Sequence, residues 1–243
     1  MAKVFSLIVP TYNERDNIGP LLDQVRATLG PRDDFEIIVV DDDSPDLTWS
    51  VVEDCASADG RITLVRRRGE KGLSSAVIAG FNASKGAVLG VMDADLSHDC
   101  RILPELISAV RDEGFDLAVG SRRVPGGGAD RWPWYRKAFS SAATIAARRL
   151  LEIGLRDPMS GYFVLDRDLF ERVKPVINPR GYKILLEIYA LSHPARVKEI
   201  PFVFKDRRQG VSKLSVNVAF EYLRMLRELR GKRKRRNQAG DSV

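Results

Sequence analysis

Five short apolar runs, each followed by a polar cluster and then a helical pattern, constrain this chain more than any other feature. They read VFSLIVP (4–10), FEIIVVDD (35–42), RITLVRR (61–67), GAVLGVMD (86–93) and FDLAVGS (115–121). Between them apolar residues recur at helical spacing over 17–29, around Val51 and Val52, over 73–83, and through Ile102, Leu103, Leu106 and Val110. Continuous apolar strands alternating with helices of about 10–15 residues describe βαβ units and a mostly parallel sheet. In such sheets ligands gather beyond the carboxyl ends of the strands. Those ends read PTYNE, DDDSPD, RRRGEKG, DADLSHD and GSRR, so the site is expected there.

The second half keeps a looser pattern. RRVPGGGADRWP (122–133) reads as a Gly-rich loop expected to move, and a small-residue helix follows over about 135–153. LRDPMSGYFVLDR (155–167) reads as loop then strand, GYKILLEIYAL (181–191) as a helix, and VKEIPFVFKDRRQGVSKLS (197–215) as a strand and polar loop. A last amphipathic helix sets Phe220, Leu223 and Leu226 against Arg224, Arg227 and Glu228. This half is expected to decorate the open side of the sheet. The division is therefore one α/β domain over 1–230 and a basic, disordered tail over 231–243.

Charge and cysteines narrow the setting. KRKRR (232–236) brings five positive charges and Asp241 removes one, so residues 1–231 hold only +2 of the formal +6. The basic character belongs to the tail, which suits anionic lipid, nucleic acid or plain solvation. Cys55 and Cys100 suggest neither a disulfide framework nor a zinc site and point to a reducing cytosol. The apolar start is cut short by Pro10, too early for a signal peptide, and AFSSAATIAARRLL (138–151) is broken by Arg148 and Arg149. A soluble or at most peripheral protein is expected.

The strand ends carry the chemistry. Asp93 and Asp95 flank the small Ala94 beyond the fourth strand. Hard cations such as Mg²⁺ and Mn²⁺ take oxygen ligands and share one or two carboxylates with a diphosphate, although a solvated turn with an Asp cap gives the same pattern. Asp41, Asp42 and Asp43 repel one another unless something donates to them, and a carboxylate there suits a nucleotide's base or ribose; Asp46 equally suits a helix cap. Tyr12 can stack on a base, and Glu14 can accept hydrogen bonds. Arg122, Arg136, Arg207 and Lys213 stand in loops or at helix starts, where guanidinium forks grip phosphate oxygens. No P-loop, G-x-G-x-x-G, H-E-x-x-H or G-x-S-x-G motif occurs, and His98 and His193 are read as structural.

Taken in order, VPTYNE, VDDDSPD, MDADLSH and GSRR resemble the inverting family-2 glycosyltransferases of GT-A fold. DPMSGYF, GYKILLEI and RRQGVSKLS narrow the resemblance to the polyprenyl-phosphate sugar synthases, of the dolichyl-phosphate mannose synthase type, over about residues 4–215. The resemblance implies GDP-mannose as donor and a polyprenyl phosphate in a membrane as acceptor, with no nucleic acid. It implies donor contacts from Pro10, Tyr12, Glu14, Asp41, Asp42, Ala94, Lys183, Arg207 and Lys213. It gives a divalent cation, Mg²⁺ or Mn²⁺, to Asp93 and Asp95 with Ser97 as third ligand, and the acceptor phosphate to Arg122, Arg136 and Ser140. Asp95, Arg122 and Arg136 would be the catalytic groups. The chain would work at the cytoplasmic face of a membrane, either alone or with a membrane-anchoring partner subunit. A glucosyltransferase using UDP-glucose is the alternative within the class, and a non-catalytic nucleotide-binding module that docks on membranes is the alternative outside it.

Overall fold

Strands form where the sequence runs apolar without interruption, and helices where polar residues break the run at helical spacing. The computed structural model describes residues 4–31, 34–130, 133–179, 183–192, 195–205 and 216–240, without the side chains of 216–221 and 237–240. The chain runs β1 (Phe5–Thr11), α1 (Arg15–Leu29), β2 (Phe35–Asp41), α2 (Thr48–Ala58), β3 (Ile62–Arg66), α3 (Leu73–Ala83), β4 (Val88–Met92), α4 (Leu103–Arg111) and β5 (Leu117–Ser121). It continues through β6 (Gly128–Ala129), α5 (Trp134–Leu151), β7 (Tyr162–Asp166), α6 (Arg167–Val173), α7 (Ile184–Leu191), β8 (Val197–Pro201), β9 (Val203–Phe204) and α8 (Val216–Gly240).

Seven strands pair in the order β3-β2-β1-β4-β7-β5-β8. β7 alone runs antiparallel to its neighbours β4 and β5, with Phe163 opposite both Val91 and Val119. The mostly parallel sheet is as expected, but the second half does more than decorate it: β7 and β8 are members of the sheet. Successive side chains alternate between faces. Ile8, Ile38 and Val40 meet Val77, Phe81, Phe170, Leu186 and Leu226 in one layer. Leu7, Val9, Ile37 and Val39 meet Ile18, Leu22, Val52 and Leu106 in the other. Sheet order reverses between β1 and β4, so their carboxyl ends diverge and leave a crevice, the position where ligands bind in open α/β sheets. The Gly-rich segment is anchored in part, because Gly128–Ala129 pair in parallel with Val203–Phe204.

The C-terminal helix differs from the sequence reading. Its buried face is Tyr222, Leu226 and Leu229, whereas Leu223 is exposed; Phe220 lies outside the described side chains. Helix also continues through the basic run to Gly240, where a separate tail had been expected. Lys232 Nζ donates to Val176 O at 2.7 Å, Arg236 Nη1 to Arg172 O at 3.1 Å, and Arg233 Nη1 to Leu151 O. These carbonyls end α5, α6 and the short 3₁₀ turn after α6. Final-turn carbonyls lack intrahelical donors and carry the negative end of the helix dipole, so cations stabilise them by about 0.3–1 kcal/mol each. Removing residues 232–243 should therefore lower Tm by several degrees, at about 2–4 °C per kcal/mol for a chain of this size. A melt indistinguishable from that of the full chain would show these contacts to be idle.

Candidate functional site

The crevice at the ends of β1, β2 and β4 is a cleft of about 370 Å³. Pro10, Tyr12 and Glu14 line it from β1, Asp42 from β2, and Asp93, Ala94 and Asp95 from β4. Seven of the residues singled out in the sequence thus meet in one place. Asp41 does not join them. It is fully buried, and its carboxylate accepts from Thr11 Oγ1 at 2.8 Å and from Ser44 N and Oγ at 2.8 and 2.7 Å. Asp41 braces the β1 and β2 exits, and its neighbour Asp42 faces the cleft.

Each carboxylate here is held by donors, as like charges packed together require. Asp42 takes a buried Arg67, whose Nε donates at 2.8 Å, and the amide of Gly72 at 2.8 Å. Asp95 accepts from the amide of Ser97 at 3.1 Å and from the Ser97 hydroxyl. Leu96 between them sits at φ 58°, left-handed backbone that costs a side-chain-bearing residue about 1–2 kcal/mol and folds Ser97 back onto Asp95. Ser97 is fully buried and donates its hydroxyl to Asp95, which orients that carboxylate and leaves the lone pairs of the oxygen beside it. His98, read as structural, packs among Tyr162, Phe202 and Phe204 and brings Nε2 to 3.5 Å from Asp93. The ring is packed in the core and lies beside the site.

The donor set suits a hard cation. Among the described residues no three His, Cys, Asp or Glu side chains converge on one point. Asp93 and Asp95 offer two oxygen-bearing groups, the number Mg²⁺ typically shares with substrate phosphates. Gly161 closes on the Asp93 carboxylate so tightly that a Cβ there would fall 2.2 Å from Oδ2. The backbone at this point is shaped around that carboxylate.

A second cavity, of about 200 Å³, opens on the other side of Asp93. Arg122, Arg136 and Lys183 line it, together with His98 and Phe204. A third, of about 280 Å³, shares Arg122 and adds Arg123, Lys137, Ser140 and Ser141. Ser140 accepts from Arg123 Nη2 at 2.8 Å, so its partner is Arg123, and Arg136 faces the other cavity. Burial draws the Arg123 pKa down, opposed by Asp157 and reinforced by Arg122. Arg207 and Lys213 lie outside the described residues.

Arg122 is itself gripped from below. Its Nε and Nη2 donate to the two oxygens of Asp157 at 2.7 and 2.8 Å, and its amide adds a third bond at 3.0 Å. Asp157 is fully buried; burial pushes its pKa up, and the Arg122 hydrogen bonds and charge outweigh that and hold it below the usual range. The sequence reading passed over Asp157, Arg67, Lys71 and Arg123. DPMSG and RRRGEKG were the available signals, but neither shows which charge meets which.

Removing one partner of a buried pair strands the other, at a cost of about 3–5 kcal/mol. Arg122→Ala should therefore melt far below wild type, and Arg122→Ala with Asp157→Ala should recover part of the loss. Additive losses in a double-mutant cycle would exclude the coupling.

Residues 6–174 match the family model described as glycosyl transferase family 2. Dolichol-phosphate mannosyltransferase of Pyrococcus furiosus is 44% identical over 226 residues, which cover 92% of this chain and 63% of that protein. The chain thus spans less than two thirds of that relative's length. The Saccharomyces cerevisiae protein of the same name is 41% identical over 238 residues, covering 94% of this chain and 88% of its own. A solved mannosyltransferase from Pyrobaculum calidifontis, in complex with GDP-Man and Mn²⁺, shares the fold with a TM-score of 0.63 at 18% identity, over 100% of this chain and 76% of that one.

Proposed function

The chain belongs to glycosyl transferase family 2, and we propose that it transfers mannose from GDP-mannose to the phosphate of a polyprenyl phosphate, with inversion at the anomeric carbon. One observation carries the reading: Asp93 lines both the acidic cleft and the cavity of Arg122, Arg136 and Lys183. A donor held in the first would present its sugar to an anion held in the second. The mannosyltransferase names of the relatives favour mannose over the glucose alternative.

The residues divide the work. Tyr12 offers a face to the base, while Glu14 and Asp42 offer acceptors to base and ribose. Asp93 and Asp95 would hold a divalent cation, which when bound neutralises the departing diphosphate. Ser97 keeps Asp95 aimed, and His98 does the same for Asp93. An acceptor phosphate monoester is largely ionised at neutral pH, its second pKa being about 6. It needs no general base, only cations that bring it up to an anionic donor. Arg122 and Arg136 are those cations, joined by Lys183, which the resemblance gave to the donor and which lines their cavity, and Asp157 fixes the plane of the Arg122 guanidinium. Fixed donors aimed at developing charge act without reorganising during the reaction.

The acceptor's lipid tail assigns a further surface. At 100° per residue, Trp134, Tyr135, Ala138, Phe139, Ala142 and Ile145 share a sector of about 140° on α5. Trp134, Tyr135, Phe139 and Ile145 are 80, 50, 62 and 50% exposed. The opposite side of the same helix presents Arg136, Lys137 and Ser140 to the cavities. A helix apolar outward and cationic toward an anion site suits the membrane interface. No helix among the described residues is long and apolar enough to cross a membrane. Both cysteines are free thiols, in keeping with attachment at the cytoplasmic face.

Metal-dependent release of GDP from GDP-mannose on addition of polyprenyl phosphate tests the reading. Comparable turnover with UDP-glucose would promote the glucosyltransferase alternative. Asp95→Ala should abolish nearly all turnover and weaken Mn²⁺ binding in the presence of GDP, with the fold intact; near-wild-type behaviour would remove the metal. For the membrane, Trp134→Ser with Phe139→Ser should weaken co-sedimentation with liposomes while sparing a short, water-soluble acceptor. Unchanged sedimentation would move attachment elsewhere, to a partner subunit or to α8.

A further inference from the structure

The loop from β3 into α3, RRRGEKG, holds the cleft's mouth with three differently employed cations. Arg66 stacks on the Trp49 ring at 3.6 Å and donates to Asp43 at 2.6 Å. Arg67 is buried on Asp42 and also donates to Ser75 Oγ at 2.9 Å and to Gly72 O at 3.1 Å. Gly72 returns its amide to Asp42 at 2.8 Å from φ 137°, a backbone conformation strained for any residue with a Cβ. Between these fixed points Lys71 reaches across the cleft, with Nζ 3.2 Å from the Tyr12 hydroxyl and 4.9 Å from its ring centroid. Among the described lining residues of the cleft Lys71 is the one cation, facing Glu14, Asp42, Asp93 and Asp95.

Sheet order decides which part of a nucleotide Lys71 meets. Lys71 comes from the loop after β3 and meets Tyr12 beyond β1, while the Asp93–Asp95 pair follows β4, on the other side of β1 from β2 and β3. A nucleoside diphosphate with its phosphates at Asp93 and Asp95 therefore lays its base along β1 and β2 toward Tyr12 and Lys71. An ammonium only donates, so it favours a base edge that only accepts. Guanine presents O6 and N7 side by side, whereas adenine pairs N7 with an amino donor.

We propose that Lys71 reads the O6/N7 edge of a guanine stacked on Tyr12, and that it sets the nucleotide preference of this site. The inference rests on the nucleotide-sugar reading above and adds to it the residue that selects the base. Before binding, the Tyr12 hydroxyl holds the ammonium over the position the base will take. On binding, the base slides onto the Tyr12 ring and Lys71 exchanges a phenol for two better-placed acceptors. Asp42, kept by Arg67 and Gly72, stays available on the nucleoside's other side.

Calorimetry of the full chain with GDP, ADP and UDP in the presence of Mn²⁺ tests this. Lys71 is exposed, so Lys71→Met should leave Tm unchanged. It should weaken GDP by about tenfold or more, the discrimination a good lysine–guanine contact provides, while ADP and UDP change little. Lys71→Arg should restore most of the GDP affinity. An equal loss for all three nucleotides would mean that Lys71 contacts the diphosphate, and no loss would mean that it contacts nothing; either overturns the assignment. A wild-type chain that binds none of the three would instead overturn the donor reading itself.

Discussion

The site depends on holding five carboxylates together at the ends of three adjacent strands. Glu14, Asp41, Asp42, Asp93 and Asp95 gather where the sheet order reverses, and like charges so close repel one another unless donors intervene. The fold gives each a separate supply. The Asn17 side-chain amide holds Glu14, hydroxyls hold Asp41, a buried guanidinium holds Asp42, a left-handed turn returns Ser97 to Asp95, and an imidazole stands against Asp93. Asp41 is closed off by its partners, whereas Glu14, Asp42, Asp93 and Asp95 line the cleft and give it an acidic wall.

Opposite charge is then segregated across a thin shared wall, to which Leu73 also contributes. Asp93 forms a wall common to the carboxylate cleft and the arginine cavity. An anionic acceptor approaching an anionic donor meets repulsion over its whole path, and the cations that offset it must not collapse onto the carboxylates next door. Pairing Arg122 with Asp157 prevents that collapse. The pair points the guanidinium by two parallel bonds while partly neutralising it, which leaves Arg136, Lys183 and Arg123 to supply the rest of the positive field.

The strand-and-helix alternation was legible because parallel strands buried on both faces are apolar without interruption, and so was the collection of acidic groups at their ends. The direction of β7 was not. YFVLD is equally apolar whether it runs up or down, and its insertion between β4 and β5 is decided by partners far along the chain. The same limit separates Asp41 from Asp42. Adjacent side chains leave a strand on opposite faces, but which face holds Thr11 and Ser44 is a matter of packing. On α8, Leu226 fits two registers, and the choice fell to Tyr222 and Leu229 because Tyr222 can also donate to Ala143 O at 2.9 Å.

The basic run carries this further, because composition there misleads in a physically specific way. A cluster of like charges reads as solvated or membrane-seeking when nothing anionic is nearby in sequence. Helix ends are anionic without any acidic residue, however, since unsatisfied carbonyls and the macrodipole supply the partial charge. Three helix-like segments end beside α8, and Lys232, Arg233 and Arg236 each take one of those ends. The Arg233 bond ties α8 to α5, the helix whose other half carries Arg136 and Ser140 and whose outer face is apolar. The helix with the apolar outer face thus also carries a cation of the arginine cavity, and it is braced at its far end by a side chain that composition alone assigns to solvent.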